Sequence, residues 1–486
     1  MTEADLAFSS VEQLGAMLRA KTVSSVELTK VYLKRLHTIG KSLNAVVTIF
    51  DDLALVNAAK ADDLLARVGD RAGPLVGIPF GVKDLLAATG GPTTWGAAPY
   101  KNQTFDYDAT VVKRLRAAGA VLVAKLAMIE LAGGMGYDQA NASFTGPCRN
   151  PWNKDYWTGG SSSGPGAATA SGCVAFSIGS ETDGSITNPS SYCGLSGIRP
   201  TYGRVSRHGA MALCWTLDKL GPMCRTASDA HVVLSMIAGY DPDDTTASSL
   251  SYDGSPLFGS APLGPQAVHS SMVSIQRPVT VGIIRHATDK VQPEVRKNFE
   301  AALDTLRMAG VIGEPVEIDL PKYPYDDCIG AIIAGEGGAA FRDIIQDGRV
   351  QTLSDPGGRR GGYSNFLVPA VDYVDAMRMR APMKTAFAKL FERIDVIAAP
   401  TFATVALPID IAFDKAYPGT NDTPLISACN LIGIPAISVP SGFGIHGLPT
   451  GIMFVAPAFE ERRLAALGAA YQGRTHWHTR RPSMTA

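Results

Sequence analysis

The 486-residue sequence carries almost no net charge: 44 Lys and Arg stand against 45 Asp and Glu, a formal balance of −1. Without a basic excess there is no field to hold nucleic-acid phosphates or an anionic membrane, so neither is expected as a partner. Charged residues are scarce at 18%, against 46% hydrophobic, the profile of a globular chain with much of its length inside. Seven cysteines, running from Cys148 to Cys429, contain no CxxC pair and no metal-like spacing. That argues against a disulfide framework or a metal cluster and fits reduced thiols of a cytoplasmic protein; no metal or cofactor is expected. The opening MTEADLAFSS lacks the basic n-region and apolar h-region of a signal peptide. The most apolar window, AGAVLVAKLAMIELAGG, is broken by Lys125 and Glu130 and is shorter than the ~20 residues of a membrane span. No internal repeat is visible.

What is present alternates. Two S-x-x-E capping boxes, Ser9 with Glu12 and Ser24 with Glu27, are expected to open helices, the second with Leu28, Tyr32, Leu36 and Ile39 on one stripe before Gly40. Residues 1–65 therefore read as an N-terminal helical part. Strand-like runs follow at 75–82, 120–126 and 174–179, with helices near 109–118 and after Gly164; further strands are expected at 279–284, 395–401 and 434–442, and a closing helix in EERRLAALGAAYQG. Strands separated by helices predict an α/β fold: one large domain over 1–486 with a twisted mixed sheet flanked by helices. Within it, 73–226 reads as the core and 227–486 as the part that completes the sheet and pocket. Residues 240–278 and 355–365, rich in Ser, Pro, Gly and Asp, read as a surface excursion and a loop.

The segment TGGSSSGPGAATASG at 158–172 has a linker's composition, but it lies just before a buried strand, where small residues allow close backbone approach. No Lys-Ser/Thr follows its glycines, so it is not a P-loop, and Ala167-Ala168 stand where a dinucleotide fingerprint needs its third Gly. Gly160-Ser161-Ser162-Ser163-Gly164 fits the G-x-S-x-G elbow of serine esterases, yet polar NKDYWT precedes it in place of a strand. A second candidate lies in SIGSETDGSITNPSSYCG at 177–194. There a strand runs into a turn whose N–H groups at Thr182, Asp183, Gly184 and Ser185 either form a nest for a developing oxyanion or make an ordinary glycine turn.

A nucleophilic serine needs a base. Of eight histidines, His208 and His446 sit in loop-like contexts. The other option is a lysine whose free pKa of ~10.4 is lowered by burial. Lys83, at the end of VGIPFGVKDLL, has that setting, as does Lys125 in VLVAKLAMIE; an ion pair of Lys83 with Asp84 is the structural alternative.

Taken together, GIPFGVKD at 77–84, GPCRNPWN at 146–153, TGGSSSGPGAA at 158–168, the block 179–209, LDKLGPMCRT at 217–226 and the C-terminal stretch 428–457 resemble the amidase signature family. The resemblance spans essentially the whole chain. It implies an amidohydrolase with a Ser–cis-Ser–Lys triad: Lys83 as general base, Ser161 as the bridging serine after a cis peptide bond, and Ser185 as nucleophile, 24 residues further on. Backbone N–H groups of Thr182, Asp183, Gly184 and Ser185 would then hold the oxyanion, with Ser162 and Ser163 supporting the loop. Gly133, Gly134, Met135 and Tyr137 are placed by position on the acyl side, and loops at 345–365 and 413–424 on the leaving-group side.

Three positions depart from the commonest family pattern. Asp183-Gly184 replaces a glycine pair, Thr187 replaces an arginine that would pair a substrate carboxylate, and Pro165 replaces a glycine. The expected partners are a small-molecule amide and water, and the reading admits a homodimer. Rival readings are the glutaminase subunit of a tRNA-dependent amidotransferase, an esterase or carbamate hydrolase on the same site, a Ser-His-Asp esterase using the GSSSG elbow, and a silent scaffold.

Overall fold

A computed structural model describes residues 2–257 and 277–484. Among these residues, eleven strands form one mixed sheet: β1 Val46–Ile49, β2 Pro79–Lys83, β3 Val121–Leu126, β4 Phe176–Glu181, β5 Ser196–Arg199, β6 Lys219–Cys224, β7 Val281–Ile284, β8 Val316–Ile318, β9 Val396–Pro400, β10 Ala436–Phe443 and β11 Pro449–Val455. Their order across the sheet is β1-β3-β2-β4-β6-β5-β10-β11-β9-β7-β8. The strands β3, β2 and β4 run parallel, as do β8, β7 and β9, while the pairings through β6, β5, β10 and β11 are antiparallel. Every residue of β2, β3 and β4 is buried, as expected of near-continuous apolar strands covered on both faces by helices.

One irregularity in this part of the sheet matters for the site. Phe80 of β2 pairs with Leu122 of β3, but Gly81 pairs with Ala124, so Val123 is an extra residue on β3. Val82 then lies beside Lys125 and Lys83 beside Leu126. Side chains alternate faces along a strand, so the two buried lysines leave the sheet on opposite sides.

The expected α/β architecture is present, with local differences. The strand expected at 75–82 begins only at Pro79, because Gly77 takes φ +80° in the turn before it. The N-terminal 65 residues are not wholly helical: β1 adds to the edge of the sheet against β3. The first capping box lies one residue later than expected. Ser10 and Gln13 form it, and Ser9 instead donates its hydroxyl to the Asp5 carbonyl, 2.8 Å away, at the end of the preceding helix. Ser24 and Glu27 cap their helix as expected.

Residues 355–365 are not a loop: Pro356–Ser364 is helical, and the Asp355 side chain accepts from the N–H groups of Gly357 and Gly358. The Asp-Pro start was the available signal, masked by four glycines. Those glycines let the helix lie against the Gly134–Met135 backbone, where a Cβ at Gly361 would overlap the Met135 carbonyl. Of the surface excursion at 240–278, residues 258–276 lie outside the described residues. No helix among the described residues is long and apolar enough to cross a membrane.

Candidate active site

Strand β2 delivers Lys83 into the interior with 0% exposure. Its Nζ donates to the Ser161 Oγ at 2.7 Å and to the Ser180 Oγ at 2.8 Å. Burial lowers its pKa to about 7 against the opposing charges of Asp218 and Glu181. Near neutral pH a substantial fraction of this amine is therefore unprotonated, which an ordinary lysine never achieves.

Asp84 does not hold Lys83. Its carboxylate pairs with Lys125 Nζ at 3.0 Å on the other face of the sheet and accepts from the Thr94 N–H at 3.0 Å. Lys125 also donates to Thr93. The two lysines that looked alike in sequence thus differ in one respect: Lys125 has a carboxylate partner, and Lys83 has only hydroxyls.

Ser161 belongs to the turn between Trp157 and the helix Ser163–Ala170. The Gly160–Ser161 peptide bond is cis, and the Gly160 N–H donates to Asn188 Oδ1 at 2.9 Å. A Cβ at Gly160 would lie 2.7 Å from Trp157 and 2.8 Å from Ile129, so only glycine fits there. Ser161 Oγ donates to Ser185 Oγ at 2.9 Å, completing a continuous chain Lys83–Ser161–Ser185. Ser162 makes no such link: its hydroxyl donates to the Ser180 carbonyl at 3.1 Å and accepts from the Ser180 N–H at 3.2 Å, fastening the turn to β4. Ser163 Oγ donates to the Ala127 carbonyl.

Ser185 follows β4 in a turn where Gly184 takes φ +83°. The N–H groups of Asp183, Gly184 and Ser185 donate to no protein acceptor among the described residues, whereas the next two are taken. Those of Ile186 and Thr187 both donate to Glu181 Oε2 at 2.9 Å, and the Thr187 hydroxyl adds a third bond at 3.1 Å. Glu181 Oε1 accepts from Arg199 at 2.9 Å and Asn430 at 3.0 Å. Burial would raise this acid, but Arg199, Asn430 and the Thr187 N–H outweigh it and hold the pKa at about 2. The Thr187 departure has its explanation here: its hydroxyl ties the start of the helix Thr187–Cys193 to Glu181.

Sequence reasoning missed Ser180, Glu181, Asn188 and Arg199. Ser180 and Glu181 stand within the motif already singled out, and the signal was their place at the end of a buried strand. Asn188 lies in the same motif, three residues after Ser185, whereas Arg199 is joined to Glu181 only by the tertiary fold.

Of the acyl-side candidates, Tyr137 lies against Trp157 and Phe413 with ring centroids 6.1 and 5.9 Å away, and burial, with the nearby charge of Asp183, raises its phenol. A Cβ at Gly133 would meet the Tyr137 ring. Gly134 and Met135 are packed beneath Asn365, whose amide donates to the Gly134 carbonyl at 2.9 Å. In the segment expected on the leaving-group side, Phe413–Ala416 is a short helix, and its Phe413 lies against Tyr137 of the expected acyl side. His208 lies near Tyr107 in a cleft of about 240 Å³ that Ser180, Thr182 and Asp218 also line, and His446 stacks on Tyr156. Neither bonds to a serine of the site, so the described residues supply no histidine base for the GSSSG elbow. All seven cysteines are free and buried.

Comparison with known proteins gives the family. A sequence model described as Amidase matches residues 27–465. The A subunit of glutamyl-tRNA(Gln) amidotransferase from Roseiflexus sp. (strain RS-1) is 35% identical over an alignment of 491 positions that covers 96% of each chain. Among solved structures, native peptide amidase from Stenotrophomonas maltophilia matches with a TM-score of 0.82 at 28% identity, covering 98% of both chains. The glutamyl-tRNA(Gln) amidotransferase A subunit from Thermotoga maritima matches with 0.76 at 26% identity, over 96% of this chain and 94% of that one. Matched along nearly its whole length, the chain belongs to the amidase signature family.

Proposed function

We propose that this chain hydrolyses a carboxylic amide through an acyl-enzyme on Ser185. The observation that carries the reading is the unbroken hydrogen-bond chain from Lys83 through Ser161 to Ser185, beside N–H groups with no acceptor. Neutral Lys83 takes the Ser161 proton as Ser161 takes that of Ser185, and the Ser185 oxygen attacks the carbonyl carbon. The oxyanion is held by N–H groups in the turn 182–185. The proton returns through Ser161 to the leaving nitrogen; water then adds to the acyl-enzyme by the same relay and releases the acid.

Replacing Ser185, Ser161 and Lys83 singly by Ala is expected to cost several orders of magnitude in amide hydrolysis, most completely at Ser185. Full activity in S185A would refute the reading. A covalent serine probe located by mass spectrometry should mark Ser185, and labelling of the active protein elsewhere would overturn the assignment. Free, buried thiols suit work in a reducing cytoplasm.

A second reading, the glutaminase subunit of an amidotransferase, is supported by the 35% identity to one such protein. It requires partner chains and a means of holding the glutamine carboxylate. Thr187, with its hydroxyl on Glu181, offers no cation at the second position after the nucleophile, which favours the free-standing hydrolase. Copurification with two further subunits and glutamine-dependent amidation of a charged tRNA would reverse that preference.

A further inference from the structure

A carboxyl group stands two residues from Ser185 that the relay does not use. Asp183 is half-buried; among the described residues its Oδ1 is inaccessible and has no hydrogen-bond partner, and its Oδ2 has one polar contact, the Ser427 hydroxyl at 3.5 Å. The other acids nearby are well engaged. Glu181 accepts five hydrogen bonds, and Asp218 accepts from Thr182, Leu213 and Cys214. Lys219 and Arg199 also bear on Asp183, but neither forms an ion pair with it: Arg199 is held by Glu181, and the buried Lys219 amine makes no hydrogen bond among the described residues. An acceptor so poorly supplied with donors in the interior is costly, at ~1–3 kcal/mol; a donor entering with the substrate at Oδ2, whose one contact is long, offsets that cost.

Position decides which part of the substrate this is. The leaving nitrogen must face Ser161 and Lys83, which return its proton, and the carbonyl oxygen must face the N–H groups of the turn. The charges that bear on Lys83 are those of Asp218 and Glu181. The charge of Asp183 bears instead on Tyr137, and its carboxyl leans toward Ser427. Beside it Gly184 faces Phe402 and Ile426, at 3.6 and 3.7 Å from a Cβ built there. The carboxyl thus lies away from Lys83 and toward Tyr137 and Ser427, the acyl side of the site in this reading. Burial and the neighbouring Glu181 push its pKa up to about 7, so it is mostly ionised at pH 8, with Lys219, Arg199, Asp326 and Tyr137 as its other charged or titratable neighbours.

We propose that Asp183 is a specificity-determining residue that accepts from an amino group on the carbon next to the scissile carbonyl, which makes amides of α-amino acids the preferred substrates. This rests on Ser185 being the nucleophile. Alanine p-nitroanilide and propionyl p-nitroanilide share a leaving group and differ only in that amino group. At pH 8 the ratio of their kcat/KM values should fall tenfold or more from wild type to D183N and to D183S, through loss on the alanine substrate. A ratio within twofold of wild type in both variants would overturn the proposal.

Binding provides a test independent of turnover. Calorimetry on S185A should show alaninamide bound at least tenfold more tightly than propionamide, with the difference absent in S185A/D183N. Equal affinities in S185A refute the role of Asp183. Unimpaired hydrolysis by S185A refutes the nucleophile instead, so the two failures are distinguishable.

Discussion

Replacing Glu181 by Gln tests the buried network behind the nucleophile while keeping its shape. The fall of this acid from an ordinary 4.5 to about 2 corresponds, at about 1.4 kcal/mol per pH unit, to roughly 3 kcal/mol favouring the folded, charged form. A depressed acid contributes fully above its unfolded value and loses that contribution as pH falls, here from 4.5 toward 2. The contacts give a second route to the magnitude. Gln presents an NH2 group to one of two sets of donors, either the N–H groups of Ile186 and Thr187 or the side chains of Arg199 and Asn430. In either case Arg199 stays buried without its countercharge, and removing one partner of a buried pair costs ~3–5 kcal/mol. The two routes agree, so E181Q should lose about 3–5 kcal/mol in urea denaturation at pH 7, with the gap to wild type narrowing as pH is lowered. In a cycle with R199M, the double variant should be less destabilised than the sum of the singles by about 2 kcal/mol or more. A loss below about 1 kcal/mol for E181Q, or strict additivity with R199M, would refute the reasoning.

Amide hydrolysis should fall about tenfold per pH unit on the acid side of about 7, where Lys83 becomes protonated, and level off above it. D183N should keep that limb; if it is lost there, the titrating group is Asp183. Arg never becomes neutral in this range, so K83R should abolish turnover in steady-state assays while leaving the fold intact by circular dichroism. K125M leaves buried Asp84 without its countercharge and should cost ~3–5 kcal/mol in denaturant, yet the limb near pH 7 should remain. G361A drives a methyl group into the Met135 carbonyl and should destabilise by ~1–3 kcal/mol, read as a lower melting temperature.

The α/β sheet and most of its strands were legible because each is a short apolar run between turn signals, and the catalytic candidates because their motifs are dense and specific. Less legible were features decided by tertiary packing. Helix Pro356–Ser364 read as a loop because four glycines lower local helix preference; they are there because the helix lies directly on the Met135 backbone. The partner of Asp84 could not be read from sequence: its neighbour Lys83 was the local choice, and the sheet gave it to Lys125 from another strand. Thr187 looked like a lost binding group because its hydrogen bond to Glu181 crosses a turn whose path the sequence does not specify.

The extra residue at Val123 acts as a parity switch. Were the ladder regular, Gly81 would pair with Val123 and Lys83 would meet Lys125 directly across the strands, two buried amines on one face with Asp84 on the other. The bulge shifts the register by one residue, so Lys125 reaches Asp84 on one face of the sheet while Lys83 has the other face, with its serines, to itself. Whether the chain can do chemistry is thus set by counting along β3 as much as by the identity of the residues at the site.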